Sequence, residues 1–197
     1  MRALPLVLLA LAAAPALGGN QRYEPLADSV RHRLSSMVSE RAPATLHFVS
    51  AQEGQRWLAA MDERLAARLP DRRQRLELLR AVHYEARRAR LDPQLVLGVI
   101  EVESGFRKYA VSTAGARGFM QVMPFWVGLI GQPHHNLFHL RTNLAYGCAI
   151  LRHYLDMENG DYFRALGRYN GSLGRPEYPQ RVLAAWHGRW KYDGPAP

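Results

Sequence analysis

Cysteine is almost absent from this sequence: Cys148 stands alone among 197 residues. One thiol cannot close an internal disulfide, so the fold must rest on a packed apolar core. Cys148 lies in the apolar run Tyr146-Gly147-Cys148-Ala149-Ile150-Leu151, where it reads as a small buried hydrophobe rather than a reactive thiol. Internal repeats and low-complexity tracts are missing too, and so is a run long enough to cross a bilayer comfortably. The apolar stretch from Ala3 through Ala16 is too short for that. Preceded by Met1-Arg2 and followed by the small-residue site Ala16-Leu17-Gly18, it reads as a secretory signal peptide over residues 1–18, with a retained anchor as the lesser alternative. No cysteine sits near the cleavage site, which argues against a lipid-modified N-terminus. The expectation is an exported protein, periplasmic or associated with the cell envelope, with no integral membrane segment in the mature chain.

Acidic residues are also in short supply. Lys and Arg number 26 against 17 Asp and Glu, a formal charge of +9, and arginine dominates. Such a surface favours polyanions: nucleic acid, anionic lipid or the carboxylate-bearing peptides of a cell wall. Export makes the wall the better partner, and no nucleic acid is expected. Arg72, Arg73, Arg75, Arg80, Arg87, Arg88 and Arg90 are dispersed along one amphipathic helix, as on a solvated face.

Residues 19–70 read as an N-terminal helical extension. Leu26, Val30, Leu34 and Met37 recur at helical spacing. Arg41-Ala42-Pro43 breaks the pattern, and Thr45 to Val49 is a short extended candidate. Ser50-x-x-Glu53 forms a capping box for a helix carrying Trp57, Met61 and Leu65, which Pro70 ends. The extension holds no catalytic pattern; it serves to pack on the rest or to dock an envelope protein partner. From residue 71 to 193 the chain reads as one further helical domain, followed by a tail at 194–197. Asp71 can cap a helix whose inner stripe is Leu76, Leu79, Val82 and Ala86. Later helices are expected over Asn143 to Leu155, from Asp161 to Tyr169-Asn170, and from Pro179 through Val182, Leu183 and Trp186. His135 and His139 have i, i+4 spacing in a loop, but no Cys or carboxylate accompanies them. They read as exposed loop histidines, and no metal or cofactor is expected.

The most informative stretch is Leu91 to Pro124. Asp92 can cap a helix and Pro93 suits its first position. The residues from Gln94 to Val102 are apolar nearly all round, so the helix should be buried. Val96, Ile100 and Glu103 share one stripe, whereas Glu101 lies about 200° away. The two glutamates therefore have different fates. A carboxylic acid ending a buried stripe loses solvation of its charged form, which raises its pKa and readies it as a general acid. A glutamate at a helix end paired with arginine is the plainer alternative. Between Ser104 and Pro124 the turn formers Ser112, Gly115 and Gly118 would let a loop lie close to a ligand.

Three segments bear on that choice: Glu103-Ser104-Gly105, then Ala114-Gly115-Ala116-Arg117-Gly118-Phe119-Met120-Gln121-Val122-Met123-Pro124, then Arg168-Tyr169-Asn170-Gly171. In this order and spacing they resemble lytic transglycosylases of the soluble, goose-type-lysozyme-like kind, over roughly Leu76 to Trp190. Phe119 stands where that family commonly has Leu, and Asn136-Leu137-Phe138-His139 replaces an Asp-Pro turn. The resemblance implies a mainly α, lysozyme-like transglycosylase domain with a glycan cleft, acting on peptidoglycan glycan strands without a cofactor. It implies Glu103 as the catalytic acid/base, with Ser104, Gln121, Met123, Tyr169 and Asn170 binding substrate. Within these roles Tyr169 would orient Glu103 through its hydroxyl, Gln121 would offer amide groups to a sugar, and Met123 would form an apolar wall. It further implies cleavage of the β-1,4 bond between N-acetylmuramic acid and N-acetylglucosamine with a 1,6-anhydro product, and the lack of a second carboxylate in the motifs agrees with this. A lysozyme-like hydrolase, and a non-catalytic wall-binding or scaffold protein, are the alternatives.

Overall fold

The structure, a computed structural model, describes residues 21–39, 48 and 50–194. The signal run, most of the extended candidate at 45–49 and the last three residues of the tail lie outside the described residues. Among the described residues there are eight α-helices: α1 (Asp28–Ser39), α2 (Ala51–Leu65), α3 (Arg72–Arg88), α4 (Pro93–Ser104), α5 (Phe125–Ile130), α6 (Leu140–Met157), α7 (Tyr162–Asn170) and α8 (Glu177–His187). Among the described residues, extended pairing is confined to two isolated bridges, Val111 with Arg117 and Arg117 with Val122.

Four helix starts follow the local chemistry. Ser50 accepts from the Glu53 N–H, Asp71 from those of Arg73 and Gln74, Asp92 from that of Gln94, and Asp161 from that of Arg164. Each cap satisfies an N–H that the first turn leaves without an intrahelical partner. The last helix begins at Glu177, two residues before Pro179. Proline is tolerated there because N–H groups of a first turn have no intrahelical acceptor.

α4 is the buried centre, and α8 lies along it. Gly98 makes that approach possible: a Cβ there would stand 3.2 Å from the Val182 carbonyl and 3.3 Å from the Trp186 N–H. α6 packs against α7, α3 and α1, while α2 packs on α3. The extension therefore contributes to one continuous core. Leu34, Val38, Trp57, Met61 and Leu65 join Leu79, Val82, Leu97, Ile100, Leu144 and Ile150 in it. Cys148 lies in the same core, fully buried, and burial pushes its thiol well up.

Two details of α3 differ from the sequence reading. Leu76 is only half-buried, and Leu78 is the buried residue of that turn. Nor is the arginine row uniformly solvated. Arg75 is buried: its Nε meets Asp62 at 2.5 Å and its Nη1 donates to the Leu69 and Pro70 carbonyls, both at 2.8 Å. Arg88 pairs with Glu85, which Arg141 of α6 also reaches at 3.0 Å. Burying cations this way requires carboxylate or carbonyl partners, and periodicity does not reveal where those lie.

Candidate active site

The stripe Val96, Ile100, Glu103 faces inward as expected, and Glu103 is 1% exposed. Its Oε1 accepts a 2.7 Å hydrogen bond from the Tyr178 hydroxyl in the first turn of α8. Its Oε2 has no hydrogen-bond partner. Removal from water is the main influence on this carboxyl and pushes its pKa up to about 8. The Tyr178 hydroxyl, the Asn170 amide and the charge of Arg181 pull it down, but by less. A carboxylic acid so placed keeps its proton at neutral pH and can deliver it to a bound oxygen.

Glu101 has the opposite fate. Its Oε1 meets Arg68 at 2.5 Å and Arg189 at 3.3 Å, and its Oε2 accepts from the Trp190 indole at 2.6 Å. It ties the back of α4 to the end of α2 and to the turn after α8. The arginine-paired reading thus belongs to Glu101 and the desolvated one to Glu103.

Of the remaining expected residues, Asn170 and Tyr169 lie close enough to the acid to interact with it electrostatically, and several side chains point elsewhere than foreseen. The Ser104 hydroxyl donates to the Ile100 carbonyl at 3.2 Å, within its own helix. Gln121 is fully buried at φ +49°, and its Nε2 donates to the Ala110 and Gly118 carbonyls at 3.1 and 2.9 Å. Its donors hold the loop together, and only Oε1 is without a partner. Met123 is half-buried, and its N–H donates to the Gln21 side-chain carbonyl at 3.2 Å. Tyr169 is fully buried and donates its hydroxyl to the Met120 carbonyl at 2.7 Å, not to Glu103. Asn170 is buried beside the acid, with Nδ2 unpartnered.

Two residues escaped the sequence reading. Tyr178 makes the contact that had been expected of Tyr169. Its i, i+4 relation to Val182 on the face turned toward α4 is a signal that could have identified it. Asn143, at the start of α6, accepts from the Met120 N–H and donates to the Arg117 and Leu137 carbonyls, each at 2.8 Å. With Gln121 it fixes the glycine-rich loop from both sides. The histidine loop is built differently: His135 Nδ1 lies 2.8 Å from the Tyr146 hydroxyl. Among the described residues no group of three or more His, Cys, Asp or Glu could hold a metal ion.

A family model described as the transglycosylase SLT domain matches residues 80–181, just over half of the chain. The chain belongs to the SLT transglycosylase domain family. Among relatives, the membrane-bound lytic murein transglycosylase C of Actinobacillus pleuropneumoniae serotype 5b (strain L20) is 50% identical over 56 residues, covering 28% of this chain and 14% of its own length. The transglycosylase of Enterobacteria phage PRD1 is 36% identical over 100 residues, covering 47% of this chain and 37% of its own. A solved structure, the lytic transglycosylase Slt of Pseudomonas aeruginosa, is 23% identical with a TM-score of 0.42, covering 57% of this chain and 20% of that one. The SLT chain described here thus spans well under half the length of these relatives. Glu103, the glycine-rich loop, Tyr169, Asn170 and Tyr178 all lie within the matched range.

Proposed function

We propose that this SLT-family protein cleaves peptidoglycan glycan strands by transglycosylation, forming 1,6-anhydro-N-acetylmuramic acid ends. One observation carries the reading: a single buried acid within the three motifs, Glu103, held through its Oε1 by the Tyr178 hydroxyl. Most glycoside hydrolases need a pair of carboxylates about 5–10 Å apart. Here the nearest glutamate along the chain, Glu101, is turned away onto Arg68, Arg189 and Trp190.

A lone acid is enough for an intramolecular displacement. Protonated Glu103 gives its proton to the oxygen linking N-acetylmuramic acid to N-acetylglucosamine, and the C1–O bond breaks. The substrate's own 2-acetamido oxygen stabilises the cation that develops at C1. The Glu103 carboxylate then takes the proton of the muramoyl 6-hydroxyl, whose oxygen bonds to C1. Water is neither added nor released, and the acid returns to its starting state. Tyr178 steadies the carboxyl in both protonation states, and Asn170 lies beside it. Ser104, Gln121, Met123, Tyr169 and Asn170 form the surroundings of the sugar in this reading, with Gln121 and Tyr169 acting mainly by fixing the loop.

The protein would act as an exported, envelope-associated enzyme, its basic surface meeting wall carboxylates rather than nucleic acid. Residues 19–70 would serve as the helical extension of a catalytic domain at 71–193. No helix among the described residues is long and apolar enough to cross a membrane. Digestion of purified sacculi, with the released muropeptides weighed by mass spectrometry, tests the reaction. Anhydro ends are expected; reducing ends alone would place the protein among the hydrolases, and absence of release would make it a binding protein.

A further inference from the structure

The residues ahead of α1 reach the candidate site. From Gln21 to Ala27 the chain has no regular secondary structure, yet Gln21 is only 4% exposed, an uncommon state for a polar side chain. Its Oε1 accepts the Met123 N–H, and its amide lies close enough to the Tyr169 hydroxyl to influence that group's ionisation. Two residues on, the Tyr23 ring meets Phe125 edge-on, with centroids 5.8 Å apart. Arg22 and Glu24 border a pocket of about 230 Å³ together with Tyr154, Arg168, Gly171 and Leu173. One short segment therefore touches both the turn at Met123 and the end of α7, the two elements expected to hold glycan.

We infer that residues Gln21 to Glu24 form a self-inhibitory strap, seated on Met123 and Tyr169 and displaced when a glycan strand binds. This rests on the glycan-cleaving reading above. The primary amide of Gln21 carries the carbonyl and N–H groups that the N-acetyl arm of an amino sugar carries, and it takes a backbone donor that such an arm can use. The seat is also reversible. Tyr23 remains 62% exposed, so its ring gives up little burial when the segment lifts. The next helix keeps its own anchors, Leu34 and Val38, in the core. Segments with so few buried contacts open locally without global unfolding.

Two variants test the strap against the unmodified protein: Gln21→Ala, and a chain that starts at Glu24. The readouts are hydrogen exchange at the Met123 amide, affinity for soluble N-acetylglucosamine oligomers, and release of fragments from sacculi. The Met123 amide should exchange faster in both variants. Oligomer affinity should tighten roughly 3- to 10-fold, as expected when an occupant present most of the time is removed. A synthetic peptide spanning Gly19 to Glu24 should inhibit the shortened chain. Unchanged exchange, with oligomer affinity unchanged or weaker, overturns the strap provided circular dichroism and Tm match the unmodified protein. If the shortened chain does not fold, Gln21→Ala decides alone. If exchange and affinity change as expected while no form releases fragments, the strap stands and the glycan-cleaving reading falls.

Discussion

Replacing Glu103 by glutamine removes a titrating proton while keeping nearly the same shape, so the cost of burying this acid becomes measurable. Desolvation places the folded-state pKa near 8, against 4.5 for an ordinary glutamate. Below about pH 4.5 folded and unfolded chains are both protonated, and the stability linked to this proton is fully present. As pH rises from there, the unfolded chain releases a proton that the folded chain retains, so stability falls until pH passes the folded-state value. At about 1.4 kcal/mol per pH unit the loss is at most ~5 kcal/mol, a large part of the roughly 5–15 kcal/mol of a typical domain. Glutamine does not titrate, and its carbonyl can accept the Tyr178 hydroxyl as Oε1 does. Urea unfolding midpoints of both proteins between pH 5 and 9 give the comparison. The wild type should lose stability relative to Glu103→Gln as pH climbs toward 8, and the difference should level off beyond it. Parallel curves across the range would refute the desolvated acid.

Turnover should separate the two glutamates. On sacculi, Glu103→Gln should slow release at least ~10²-fold, the low end for general acid–base catalysis, whereas Glu101→Gln should lose about 1–2 kcal/mol of stability with release changed less than ~3-fold. Tyr178→Phe removes a hydroxyl that lowers the Glu103 pKa, so the alkaline limb of the pH–rate profile should move upward while turnover falls ~10-fold. Asn143→Ala forfeits three hydrogen bonds, two of them fully buried, and should cost about 3 kcal/mol in thermal unfolding. Gly118→Ala should cost at least ~2 kcal/mol, because φ is +76° and a Cβ would stand 2.4 Å from Asn143 Nδ2.

The parts legible in the sequence are those set by neighbours along the chain. Asp92, Ser50, Asp71 and Asp161 cap their helices through bonds reaching two or three residues onward. The opposite fates of Glu101 and Glu103 follow from the helical repeat alone. What could not be read depends on partners distant in sequence. Tyr178 meets Glu103 across 75 positions, and Tyr169 meets Met120 across 49. Both are tyrosines in or next to helices, and periodicity cannot decide which hydroxyl reaches the acid. Gln121 was expected to turn its amide toward a sugar. At positive φ, its donors instead satisfy two loop carbonyls that burial would leave unpaired. Leu76 failed as a core residue for a similar reason: the neighbours that define the inside of α3 come from α2, α4 and α6, not from α3 itself.

The shared core also sets how the protein can be divided. The stretch recognisable as the family, 80–181, is smaller than the body that can hold itself together. A fragment cut at those limits would begin inside α3, without the Asp71 cap and without Leu78 and Leu79. It would end inside α8, one residue short of Val182, and it would lose both Trp186, whose indole holds Asp92, and Trp190, whose indole holds Glu101. Trp57, Met61 and Leu65 would be gone from one flank. The smallest unit worth expressing therefore runs from α1 through Trp190, and exchanging the three motifs of this protein with those of a relative would require carrying both flanks along.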